Sequence, residues 1–152
     1  MKGQNKLANE AWEALFRAQA TIAQEFAARD VWGGLMEKEY GVLYALSTAP
    51  GGLRMSDLGN DVLLSQAGLS RLVGRLEAKG LVKRSADPGD GRASVLQLTA
   101  SGVGLQRRIG AAHGRHVTER LSTHLDDEQL AVLRDLCLQL VAKPSEGSQD
   151  EL

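Results

Sequence analysis

Stretches of helical hydrophobic spacing alternate along the chain with short, turn-rich breaks. Trp12, Leu15, Phe16, Gln19, Ile22, Ala23 and Phe26 recur at i, i+3, i+4 and i+7, which predicts an amphipathic helix over about residues 7–29. "DVWGGL" breaks the period. A second helix is predicted near Lys38 to Ser47, with Tyr40, Leu43, Tyr44 and Leu46 on its apolar side. "TAPGG" ends it, because proline blocks continuation and paired glycines favour a turn. Ser56 is placed to cap a short helix, "SDLGNDVL", and Ser65 a longer one, "SQAGLSRLVGRLEAKG". In the longer one Leu69, Leu72, Val73 and Leu76 form a tight apolar stripe, and Gly80 stands where a C′ glycine belongs.

The pattern then changes. "LVKR" and "SVLQLT" read as two strands, the second with Leu96 and Leu98 inward, and "DPGDGR" joins them with Pro88, Gly89 and Gly91 as turn residues. Thr99 ends the second strand and can cap a long helix from Ala100 to about Ser122. A last helix lies in "LDDEQLAVLRDLCLQLVAK", where Asp126 and Gln129 have capping-box spacing. Leu130, Leu133, Leu136, Cys137 and Leu140 form an apolar seam along it, and "PSEGSQDEL", residues 144–152, is expected to be a disordered tail.

Composition narrows the class. A chain of 152 residues favours one domain, and 43% hydrophobic with 24% charged residues is enough to form a core. No apolar run approaches the roughly 20 residues that span a bilayer, and the N-terminus turns polar too soon for a secretory segment. The single cysteine, Cys137, suits a reducing compartment. A cytoplasmic protein with no membrane partner is expected. The overall charge of −1 says nothing in favour of nucleic acid, but its distribution does. Between Gln66 and Arg92 six basic residues face three acidic ones, a net +3, whereas from Asp126 to the end two basic residues face seven acidic ones, a net −5.

Two capped helices followed by a hairpin and two long helices resemble the MarR family, dimeric winged helix-turn-helix regulators of transcription. The resemblance is carried by "LLSQAGLSRLVGRLEAKGLVKR", similar to the family's recognition helix and following strand, and by "DGRASVLQLTASG", which fits its wing. It implies a mainly α single domain over residues 1–152: a winged helix-turn-helix lobe over about 37–99 with a small β-hairpin wing, and dimerisation helices over about 7–29 and 100–142. The function implied is a sequence-specific, ligand-responsive repressor acting as a homodimer on a near-palindrome. A winged helix that binds proteins rather than DNA is the alternative.

The residues support the same reading by their own chemistry. With the leucine stripe inward, Gln66, Ser70, Arg71, Gly74 and Arg75 must point outward. A helix fits the major groove, glutamine and arginine pair bidentately with base edges, and Ala67, Ser70 and Gly74 are small enough for close approach. Arg92 matches the wing arginine that enters the minor groove in the family, where a narrow groove concentrates negative potential. Asp90 would repel phosphate, so it is expected to hold Arg92 or brace the hairpin. The expected DNA-contacting set is Ser65, Gln66, Ser70, Arg71, Arg75, Arg84, Asp90 and Arg92.

"AWEALFRAQ" resembles the first helix of relatives that sense small aromatic or carboxylate ligands. Trp12 would supply a flat apolar surface and Arg17 a fork for a carboxylate, with Gln19 and Tyr40 completing the pocket. No HExxH, GxSxG or phosphate-binding glycine loop is present, so neither catalysis nor a cofactor is expected. His113 and His116 lie three apart but lack a carboxylate or cysteine partner in sequence, and His124 has no partner at all. A solvated or dimer-facing pair, without metal, is expected. Cys137, on its leucine seam, is expected to be a buried and inert thiol.

Overall fold

The computed structural model describes residues 2–62 and 65–142. Their order is α1 Lys2–Ala27, α2 Glu37–Ser47, β1 Leu53–Arg54, α3 Met55–Val62, α4 Gln66–Ala78, β2 Val82–Asp87, β3 Asp90–Leu98, α5 Ala100–Ser122 and α6 Asp127–Val141. The chain forms two units, one ending at His113 and the other beginning at Gly114, so the boundary falls within α5. The expected tail, residues 144–152, and Leu63, the expected end of the short helix, lie outside the described residues.

In the first unit, Gly33 and Gly34 take positive φ (60° and 82°) and turn the chain between α1 and α2. The core is then built from α2, α3, α4 and the sheet: Val42, Leu43, Leu46, Leu58, Leu69, Leu72, Val73, Leu76 and Leu96 are buried together. The leucine stripe of α4 is therefore inward, as its spacing predicts. Ser65 caps α4 through the Gly68 N–H (3.1 Å), and Gly80, at φ 71°, follows the C-cap. On α2 the inward face is rotated from expectation. Val42 and Ala45 join Leu43 and Leu46 in the core, while Tyr44 is exposed, its ring tilted against that of Tyr40 with centroids 6.3 Å apart.

The sheet has three strands in the order β1-β3-β2, not the two of a bare hairpin. Leu53 pairs with Leu96 and Arg54 with Val95. Two residues cannot show an alternating pattern, so β1 is invisible to periodicity. It also moves the start of α3. Because the extended β1 leads straight into the helix at Met55, Ser56 sits inside the first turn and is not the cap. At the other end, Asp87 pairs with Asp90 across the two-residue connection Pro88–Gly89. Gly91 thus belongs to β3 and is not a turn residue. Leu96 is buried as expected, but its neighbour Val95, on the opposite face of the strand, is buried too, and Leu98 is only half-buried.

α5 begins where Thr99 accepts the Gly102 N–H (3.1 Å) and donates its own hydroxyl to the Gly80 carbonyl (2.6 Å). The second unit contains the rest of α5 and α6. The Asp126–Gln129 capping box forms reciprocally (2.9 and 3.0 Å), yet no residue of α6 is buried. Leu133, Leu136, Leu138 and Leu140 are exposed, the last at 71%, and Cys137 is half-buried instead of buried because nothing within α6 covers it. No helix among the described residues is long and apolar enough to cross a membrane.

Candidate nucleic-acid interface

Burying Leu69, Leu72, Val73 and Leu76 leaves the opposite face of α4 to solvent. Gln66, Ala67, Ser70, Arg71, Gly74 and Arg75 are all exposed, with Ser65 at the helix start. A Cβ on Gly74 would meet nothing within 4 Å, so this face is low in the middle and flanked by long side chains. Met36, Lys38, Gly68, Arg71, Leu72 and Arg75 line a groove of about 410 Å³ between the start of α2 and this face.

The arginines of the face differ in how they are held. Among the described residues Arg71 makes no ion pair. Arg75 donates its Nε to Glu39 Oε1 at 3.1 Å, and Lys79 Nζ lies 3.3 Å from Glu39 Oε2. Glu39, 2% exposed, also accepts the Met36 N–H at 3.0 Å, which caps α2. Burial pushes its carboxyl pKa up, but the Met36 N–H, Arg75 and Lys79 outweigh that and hold it below the ordinary carboxylate value. One buried anion thus ties the start of α2 to the C-terminal half of α4, and it fixes Arg75 by one edge while the remaining guanidinium donors stay available. Arg75 is thus exposed, as its place on the outward face predicts, and at the same time tethered to Glu39.

The hairpin is held in a similar way. Asp87 Oδ1 accepts the Gly89 N–H (2.9 Å) and Oδ2 accepts Arg54 Nε (2.7 Å). The Gly89 N–H first and Arg54 next hold the Asp87 carboxyl below its ordinary pKa. Asp90 Oδ1 accepts the backbone N–H of Arg92 at 3.0 Å, so it braces the strand as expected and does not bind the arginine side chain. Arg92 is exposed and, among the described residues, unpaired. Arg84 donates to Glu77 (2.9 Å), tying β2 to α4. The expected DNA-contacting residues therefore sort into two unpaired cations, Arg71 and Arg92, and two anchored ones, Arg75 and Arg84.

Sequence reasoning missed Glu39, Arg54 and Asp87. For Glu39 a signal existed, since it precedes Leu43 by four and Leu46 by seven positions, on the core face. Arg54 and Asp87 are 33 residues apart, and no local pattern joins them.

The expected ligand residues are not gathered within the chain. Trp12, 65% exposed, packs obliquely on Phe16 (centroids 6.4 Å), Arg17 pairs with Glu13, and Gln19 faces solvent. Tyr40 is buried beside Trp32 (5.5 Å) and His113 (6.0 Å), and burial pushes its hydroxyl pKa up. His113 lies edge-on to Phe26 at 5.0 Å. It is therefore part of an aromatic cluster and not a solvated side chain, because it stands four residues after Ile109 on the inward face of α5. Among the described residues no group of three or more His, Cys, Asp or Glu side chains could hold a metal.

Comparison with known proteins agrees with this geometry. A MarR family model matches residues 34–93. The transcriptional regulator HosA of Escherichia coli is 32% identical over 72% of this chain and 76% of its own. MhqR of Bacillus subtilis, an HTH-type transcriptional regulator, is also 32% identical, over 62% of this chain and 65% of its own length. Two solved structures from Streptomyces coelicolor are each 29% identical. A MarR family transcriptional regulator in complex with DNA superposes with a TM-score of 0.75, covering 91% of this chain and 89% of its own. The regulator PcaV with its natural ligand gives 0.64, covering 87% and 89%.

Proposed function

Because the chain belongs to the MarR family of transcriptional regulators, we propose that it is a sequence-specific DNA-binding repressor that works in the cytoplasm as a homodimer and releases DNA in response to a small acid. One observation carries the proposal: α4 presents Gln66, Ser70, Arg71 and Arg75 outward while unpaired Arg92 stands on the neighbouring wing. The helix enters a major groove, with Arg71 and Arg75 on base edges and Ser65, Gln66 and Ser70 beside them. The wing lays Arg92 along the minor groove, with Asp90 as its brace and Arg84 as the tie to α4. The complex of the Streptomyces coelicolor relative with DNA supports this reading, and it disfavours a winged helix that binds only proteins.

Selecting genomic fragments on the purified protein tests the proposal. A small set of sites sharing a near-palindrome, with half-sites about one helical turn apart, is expected. The absence of any enriched sequence would overturn it.

The homodimer rests on exposed apolar surface. Leu7, Trp12 and Phe16 on α1, and Val132, Leu136, Leu138 and Leu140 on α6, face solvent in the single chain, more than a soluble monomer ordinarily leaves uncovered. Leu136→Glu combined with Leu140→Glu is expected to give a folded monomer with weakened operator binding, because neither side chain supports the fold within one chain. Sedimentation velocity checks this, and an unchanged dimer would place the interface elsewhere.

The effector reading follows the relative solved with its natural ligand. Trp12 and Tyr40 supply ring surfaces, Arg17 an anion fork and Gln19 a polar group. They form one pocket only if the dimer brings α1 of one chain beside α2 of the other. Only an effector that prefers one spacing of the two recognition helices can couple to DNA release.

A further inference from the structure

The sheet has its third strand only at the root of the wing. β1 offers two rungs, Leu53 to Leu96 and Arg54 to Val95, so the part of β3 before Val95 is paired with β2 alone. Arg92 stands on that two-stranded arm. Ribbons of two strands twist more than wider sheets and hold their shape poorly by themselves. The root is well fixed. A Cβ on Gly52 would lie 2.9 Å from the Leu96 carbonyl oxygen, so the turn before β1 is pressed against β3. Gln97 donates to the Pro50 carbonyl (3.4 Å) and accepts the Ser85 hydroxyl (3.2 Å), joining that turn to both strands of the hairpin. These contacts stop short of the arm.

The Arg54 side chain reaches further. It stands in the last rung of β1, in line with Val95 and Ser85. Because β3 lies between β1 and β2, its guanidinium crosses β3 to meet Asp87, at the end of β2 and two residues beyond Ser85. Nε lies 2.7 Å from Asp87 Oδ2, and Nη2 pairs with the same oxygen. The other oxygen of that carboxylate accepts the Gly89 N–H at the tip (2.9 Å). Asp90, which holds the Arg92 N–H (3.0 Å), adds weaker attraction for the same guanidinium. Arg54 leads directly into α3 at Met55, so this strut runs from the helix-turn-helix to the tip of the wing.

We propose that Arg54 is a positioning residue for DNA binding: through Asp87 it sets the arm at a fixed distance and angle from α4, so that Arg92 meets the minor groove while Arg71 and Arg75 sit in the major groove. The inference rests on the DNA-binding reading and adds to it a residue that need not touch DNA. A pair this exposed contributes little to stability, and its use is geometric. An arm already in place does not have to be ordered on the DNA at the expense of affinity.

A double-mutant cycle tests this, with the full chain and a duplex carrying the near-palindrome recovered from genomic fragments, read by fluorescence anisotropy. Arg54→Gln and Asp87→Asn are each expected to weaken binding about three- to tenfold, with the melting temperature little changed. The sign for Asp87→Asn is the discriminating feature. It removes a negative charge beside the DNA, so charge alone would strengthen binding, while asparagine can still accept the Gly89 N–H. In a chain already carrying Arg92→Ala, Arg54→Gln should cost less than about twofold, because it acts through Arg92. A direct phosphate contact by Arg54 would leave its cost undiminished there. The inference is overturned if Arg54→Gln leaves operator binding intact, if Asp87→Asn leaves it intact or strengthens it, or if the cost of Arg54→Gln is the same with and without Arg92→Ala. A parent chain that binds no such duplex would instead overturn the DNA-binding reading itself.

Discussion

Gly102→Ala is expected to destabilise the chain by about 3 kcal/mol or more, read as a fall in denaturant midpoint, because the added methyl has nowhere to go. A Cβ at that position would run into the Leu81 carbonyl oxygen and lie 3.0 Å from its carbon. Both are backbone atoms and cannot rotate aside. The turn cannot retreat either, since Leu81 O accepts the Thr99 N–H (3.0 Å) and Gly80 O accepts the Thr99 hydroxyl. The first turn of α5 is thus pressed onto the turn that ends α4. Alanine would otherwise be the better helix former by about 1 kcal/mol, so a variant as stable as the parent would show that the close approach is absent.

Glu39→Gln is expected to cost about 1–3 kcal/mol near neutral pH and also to erode operator preference. The neutral amide can still accept the Met36 N–H but no longer offsets Arg75 and Lys79, which are half-exposed and will turn to water. The pH dependence identifies the cause. The Glu39 carboxyl is held below its ordinary value in the folded chain, so its contribution is complete above the unfolded carboxylate pKa of about 4.3 and is lost as pH falls through the lower folded value. The stability gap between parent and variant should therefore be widest near neutral pH and close in acid. A gap constant with pH would mean that the substituted amide fails by shape and not by charge.

These two positions show what could be read from the sequence and what could not. The α4 stripe, the Ser65 cap and the Asp126–Gln129 box depend on neighbours within two helical turns, and each appears as spacing alone. The glycine of "LTASG" was legible only as part of a family pattern; its cause, a backbone contact with Leu81, joins positions 21 apart. β1 carried no period, and although the spacing of Glu39 to Leu43 and Leu46 places it on the core face of α2, its partners Arg75 and Lys79 come from α4, 36 and 40 residues on. The outward set of α4 followed from burial of its opposite face. Which arginines are tethered did not, because Glu39, Glu77 and Asp87 reach them from other elements.

The division of labour between the two unpaired arginines, Arg92 on the DNA backbone and Arg71 on base edges, is what a salt titration of operator affinity measures most directly. For the parent protein the logarithm of the binding constant should fall steeply and linearly with the logarithm of salt concentration, as counterions leave the phosphates. Arg92→Ala should reduce that slope by about one, the signature of a lost backbone contact, with little change in sequence preference. Arg71→Ala should leave the slope nearly unchanged while costing about 1–3 kcal/mol on the operator and much less on unrelated DNA. Affinity that ignores salt, or helix and wing variants that bind the operator as tightly as the parent, would contradict the account.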